Sequence, residues 1–89
     1  MAMVKVSSPL KRYFGNEEEI LIQGESIIDV INSLVVIYPE IKDKLIRGNS
    51  LSRQTVISVD NRDIRLLDDE NTQVGNGSVI HLLPALVGG

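Results

Sequence analysis

Cysteine is absent from this 89-residue chain, and so is tryptophan. With no thiol there is no disulfide framework, no Cys-ligated zinc and no cysteine nucleophile. The same absence fits a reducing, cytoplasmic setting. Histidine occurs once, at His81. No second His and no carboxylate cluster stands near it at ligand spacing, so it reads as a surface residue, not a metal ligand or catalytic base. The aromatics are Tyr13, Phe14 and Tyr38 alone, so the core must be aliphatic. No apolar run approaches the length of a membrane helix, and no signal-peptide pattern opens the chain. A net charge of −3 gives no basic footprint for nucleic acid. No Gly-rich phosphate loop is present.

What is present suits one globular domain: 43% hydrophobic and 24% charged residues. Val4-Lys5-Val6-Ser7 alternates apolar and polar, which predicts a half-buried strand ended by Pro9. Gly15-Asn16 and the acidic run Glu17 to Glu19 form a turn, and Ile20-Leu21-Ile22 a second strand. Ser26 is a good helix N-cap, with Asp29 in the first turn to complement the dipole. Ile27, Val30, Ile31, Leu34 and Tyr38 then recur at helical spacing up to Pro39. Glu40 to Arg47 reads as a short second helix with Ile41 and Leu45 inward, closed by Gly48. Asn49 to Gln54 is loop-like. Val56 to Val59 is a third strand, Asp60-Asn61 a turn, and Asp63 to Leu66 a short fourth strand. Asp68 to Asn71 is an acidic turn. The cluster Val74 to Gly77 turns the chain into a last strand, Ser78 to Leu83.

This order predicts an α+β fold, a mixed sheet covered on one face by one main helix, with a short second helix. The most apolar strands, first and last, belong side by side at the sheet centre. Along the last strand Ile80 and Leu82 face the helix, while His81 and Leu83 face away. His81, Leu83, Lys5 and Ser58 then mark an uncovered sheet face suited to docking. Lys11-Arg12-Tyr13 sets two cations beside an aromatic, a grouping that can touch nucleic acid. With negative net charge it reads instead as a solvated turn.

The chain closes on Leu83-Pro84-Ala85-Leu86-Val87-Gly88-Gly89. Pro84 has no N–H and is expected to end strand pairing. That divides the chain into a domain, 1–84, and a flexible tail, 85–89. Five extended residues reach roughly 17 Å.

The order and the ending together resemble the ubiquitin-like β-grasp sulfur carriers, the group that includes the small subunit of molybdopterin synthase and the thiamin and cysteine-synthesis sulfur carriers. The residues that carry the likeness are Asp60-Asn61-Arg62-Asp63, against the family's Val-Asn-Gly-Glu-Asp turn, and Gly75-Asn76-Gly77-Ser78-Val79, against Asp-Gly-Asp-Glu-Val. The Gly-Gly ending completes the set. Ile80-His81-Leu82-Leu83 also aligns with ubiquitin's Leu-His-Leu-Val when the diglycine ends are superposed. The molybdopterin branch usually carries Pro-Pro before its Val-Ala-Gly-Gly, and here Leu83-Pro84-Ala85-Leu86-Val87 stands nearer the cysteine-synthesis carriers. The thiamin carriers lack the segment 40–54.

The resemblance implies a protein cosubstrate rather than an enzyme. An E1-like adenylyltransferase would use ATP to adenylate the Gly89 carboxylate, and a sulfur donor protein would convert it to a thiocarboxylate. An acceptor synthase, cysteine-synthase-like or a molybdopterin synthase large subunit, would receive the sulfur. The chain itself would bind no cofactor and no metal. Gly89 has no Cβ to block approach to its carbonyl, and Gly88 relaxes the backbone beside it. Leu83, Pro84, Ala85, Leu86, Val87 and His81 are the expected partner contacts. Two other readings use the same chain: a modifier joined through Gly89 to lysines, and a non-catalytic β-grasp interaction module.

Overall fold

The computed structural model describes residues 1–85. Strand β1 (Ala2–Val6) buries Ala2, Val4 and Val6 and pairs antiparallel with β2 (Glu19–Ile22), Val4 opposite Ile20. The link between them is more than the expected turn. Ser8–Phe14 forms a 3-10 helix with Pro9 in its first turn, closed by Gly15 at φ 63°. Pro suits that position because its missing N–H would be unpaired there anyway. Leu10 and Phe14 drop into the core, and Phe14 meets the edge of Tyr38 at 5.2 Å between ring centroids. The sparse aromatics are thus used as a core pair after all.

Helix α1 (Ile27–Ile37) starts where its cap predicts. Ser26 Oγ accepts from Asp29 N–H, and Asp29 Oδ2 accepts from Glu25 N–H, so two otherwise unpaired donors are satisfied reciprocally. Ile27, Val30, Ile31 and Leu34 are fully buried. β-Branched residues crowd this helix, so packing of that stripe holds it more than propensity does. After a 3-10 turn at Pro39–Ile41, helix α2 covers only Lys42–Leu45. The expected extension to Arg47 is replaced by a small hairpin, β3 (Ile46–Arg47) against β4 (Ser50–Leu51). Gly48 at φ 63° turns that hairpin and does not cap the helix. β-Branched Ile46, with Gly48-Asn49 one residue further on, favours extended backbone and a turn over another helical turn.

Strand β5 (Thr55–Val59) joins β6 (Arg62–Asp63) through Asp60 and Asn61, both at positive φ, which matches the right-handed strand twist. The fourth strand therefore lies earlier than Asp63 to Leu66. Asp63 caps a 3-10 turn, Ile64–Leu66, that buries Ile64. Strand β7 (Val79–Pro84) completes a five-stranded sheet in the order β2-β1-β7-β5-β6. β1 and β7 are parallel and central, and the other pairs are antiparallel.

Pro84 does not end the pairing. It sits opposite Thr55, and Ala85 N–H still donates to Gln54 C=O at 2.9 Å. Asp60 N–H donates to Val79 C=O at the other end of the same ladder. Bonded and non-bonded pairs alternate in antiparallel sheets, so the Thr55–Pro84 pair is a non-bonded one. The donor that proline lacks would point to the β1 side, where pairing stops at Val6–Leu82.

Gly24 lies against the first turn of α1, where an added Cβ would stand 2.7 Å from Val30 Cγ2 and 3.0 Å from Val30 N. Gly24→Ala is expected to destabilise by about 1–3 kcal/mol through this overpacking. Phe14→Ala should cost about 3–5 kcal/mol. Chemical denaturation of the two variants checks both values and their order.

Candidate functional site

Because β7 lies between β1 and β5, its alternation fixes two faces. Ile80 and Leu82 are fully buried, and His81 and Leu83 point outward. The registers Lys5–His81 and His81–Ser58 set those three residues in one row across the open face, as the sequence predicts. Glu19 extends the row beyond Lys5, 3.8 Å away, and Asp63 extends it beyond Ser58. The next row pairs Leu83 with Val56. Leu83 is 45% exposed, a high value for a leucine in a central strand.

Val56, Leu83, Pro84 and Ala85 line a shallow, mainly apolar hollow together with Arg65. A second hollow at the same strand end brings Pro84 and Ala85 beside Arg12, Tyr13 and Lys44. Sequence reasoning named Ser58 on β5 but missed Val56, although strand alternation puts both on one face. Arg12 and Lys44 carried no such signal, because one comes from the 3-10 helix and the other from α2. Leu86, Val87, Gly88 and Gly89 lie outside the described residues, as does the expected tail apart from Ala85.

The charges beside the first hollow are paired. Asp63 accepts from Arg65 N–H at 2.9 Å and from Arg65 Nη2 at 2.6 Å. These side-chain and backbone hydrogen bonds from Arg65 hold the Asp63 carboxyl below its ordinary value of 3.8. Arg53 makes a bidentate pair with Asp69 at 3.2 and 2.7 Å, which pushes the Arg53 guanidinium pKa up. Among the described residues no group of three His, Asp or Glu is placed to hold a metal ion, and no helix is long and apolar enough to cross a membrane. The arrangement of the described residues offers surfaces on which a partner could dock.

A mixed sheet with its first and last strands parallel at the centre, grasping one main helix, is the ubiquitin-like β-grasp. The chain belongs to the ThiS family, which it matches over residues 4–89, and so to the small ubiquitin-like sulfur carriers and modifiers rather than to a family of catalysts. No curated protein sequence matches it. Among solved structures it is similar to a chain of the Amycolatopsis orientalis BexX/CysO complex, with TM-score 0.89, 24% identity and full coverage of both chains. It is similar to Mycobacterium tuberculosis CysO, with TM-score 0.86 and 25% identity over 97% of this chain and 100% of that one. It also resembles the small archaeal modifier protein 1 of Methanosarcina acetivorans, with TM-score 0.86 and 27% identity over 99% and 95% of the two chains.

The lowered Asp63 carboxyl has a pH signature. Its stabilising effect is complete above the ordinary carboxylate value and is lost as pH falls through the depressed one. Asp63→Asn keeps an oxygen to cap the turn and removes the charge. Thermal unfolding should place the variant below wild type at neutral pH, by a small margin for so exposed a pair. The two curves should converge in acid, once Asp63 is protonated.

Proposed function

We propose that this chain is a sulfur carrier whose reactive group is the carboxylate of Gly89. In the first step that carboxylate attacks the α-phosphorus of ATP in an E1-like adenylyltransferase, and pyrophosphate leaves. In the second, sulfide delivered by a sulfur donor protein attacks the Gly89 carbonyl and AMP leaves, which yields a thiocarboxylate. A carboxylate is a poor acyl donor until its oxygen becomes part of a phosphate leaving group. The nucleotide belongs to the partner, in keeping with the lack of a phosphate loop in this chain.

The observation that carries this reading is the family match running through residue 89, over a fold whose sheet pairing extends to Ala85. Leu86 to Gly89 can then span at most about 13–14 Å beyond the paired strand, short of the reach expected from Pro84. That length suits insertion of Gly89 into a buried site while the domain stays outside. Leu83, Pro84, Ala85 and His81 would meet the partner on the open face, and Leu86 and Val87 would meet it along the tail.

The ending Leu83-Pro84-Ala85-Leu86-Val87, nearer that of the cysteine-synthesis carriers than the Pro-Pro ending of the molybdopterin branch, supports a place in cysteine synthesis with a cysteine-synthase-like acceptor. The similarity to an archaeal modifier supports the second reading, conjugation of Gly89 to lysines.

Intact mass spectrometry after incubation with ATP, the E1-like enzyme of the same organism and a sulfide source should show one oxygen replaced by sulfur. Deletion of Gly88 and Gly89 should abolish that change without altering the thermal midpoint. Unchanged cellular function of the truncated chain would favour an interaction module instead. Higher-mass conjugates on immunoblots, lost on the same deletion, would favour the modifier.

A further inference from the structure

Lys11-Arg12-Tyr13 is not the solvated turn that its sequence suggests. It lies in the 3-10 helix Ser8–Phe14, whose core anchors Leu10 and Phe14 fix its orientation. The Arg12 guanidinium carbon stands 5.0 Å from the centroid of the Tyr13 ring, and Arg12 donates to Tyr13 Oη at 2.9 Å. Lys44 Nζ, from α2, lies 6.0 Å from the same centroid. A ring within about 6 Å of a cation attracts it through the ring quadrupole. Tyr13 therefore gathers two positive charges from separate elements, beside Pro84 and Ala85.

Three other cations near this strand end are already paired. Lys11 pairs with Glu18 at 2.8 Å, Arg53 with Asp69 and Arg65 with Asp63. Arg12 and Lys44 make no ion pair with any described carboxylate. Asp43 is adjacent to Lys44 in α2, but neighbours in a helix do not face each other. The opposite end of β7 carries both signs, with Arg62 set opposite Val59. Asp60 accepts from Val79 N–H there, and Glu25 and Asp29 lie at the start of α1, with Glu25 C=O accepting from Val74 N–H. At the strand end that leads to Gly89, Lys11 engages Glu18, while Arg12 and Lys44 keep unpaired positive charge beside Pro84 and Ala85.

We infer that Arg12 and Lys44, gathered on Tyr13, form a docking site for carboxylates on the rim of the activating partner's tail-binding channel. The inference rests on the carrier reading and adds the charge of the partner surface. Nucleic acid is a poorer fit, since two cations neutralise about two phosphates and leave little affinity at physiological salt. Acidic rim groups would draw the Arg12–Lys44 pair inward, and complementary charge acts chiefly on encounter and register.

The test compares wild type with R12E/K44E and with the charge-conserving R12K/K44R as substrates of the same organism's E1-like enzyme, read by ATP–pyrophosphate exchange. At low salt the charge reversal should raise KM about tenfold with kcat unchanged, and R12K/K44R should stay near wild type. The gap should shrink toward about 0.15 M ionic strength, where the screening length falls to roughly 8 Å. Thermal melts that match wild type exclude misfolding as the cause. Equal KM and equal salt dependence for wild type and R12E/K44E would overturn the inference and leave the carrier reading standing. Tight binding of unfractionated tRNA, lost on R12E/K44E, would also overturn it in favour of a nucleic-acid site. No exchange with wild type would overturn the carrier reading and this inference together.

Discussion

The parallel pairing of β1 with β7 is the constraint from which the remaining architecture follows. Two parallel neighbours cannot be joined by a tight turn; the chain must leave one end of the sheet and return to the other. Here that return carries α1 across a single face, where its stripe of Ile27, Val30, Ile31 and Leu34 shares one core with Val4, Val6, Ile80 and Leu82. The opposite face is left without a helix. An open face in the middle of a sheet, rather than at its edge, is what makes His81 and Leu83 available.

The other neighbour of β7 determines where the tail departs. β5 runs antiparallel and holds the last strand through Ala85, past the proline that seemed bound to end it. A proline is harmless in a ladder when its nitrogen falls on the unbonded side, and here that side has already lost its partner strand. The segment that leads to Gly89 is thus registered against Gln54 up to Ala85. That pairing fixes the direction of the chain up to Ala85, the point from which, on the proposed reading, Gly89 would be presented to a partner.

Much of this was legible in sequence. The helix from Ile27 and its Ser26 cap, the central placement of the first and last strands, and the outward direction of His81 and Leu83 all follow from period and capping chemistry. The structure departs from these expectations at Phe14, Gly48 and Pro84. Phe14 and Pro84 are decided by contacts distant in sequence, and Gly48 by the two-residue turn it opens beside Ile46 and Arg47. Phe14 is buried against Tyr38, which turns a loop into an anchored 3-10 helix. Gly48 serves a hairpin because Leu51 pairs with Ile46. Pro84 is tolerated because of the register with Thr55. The Arg12–Tyr13–Lys44 grouping was hidden as well, since periodicity within one element cannot report a side chain delivered by another.

The two hollows at the end of β7 differ in what they can do. The apolar one, with Val56 and Leu83, gains free energy whenever it is covered, whatever the direction of approach, because hydrophobic burial is nearly non-directional. Affinity from that side alone would leave the tail free to enter a partner at the wrong angle. The cations on Tyr13 act over a longer range and on one side of Ala85 only, so they break that symmetry. On the docking inferred above, their partner would carry negative charge on the matching side, while the paired Asp63 and Arg65 at the other hollow add no net charge. Apolar contact would then set how tightly the strand end is held, and the unpaired cations how Ala85 is oriented when it is.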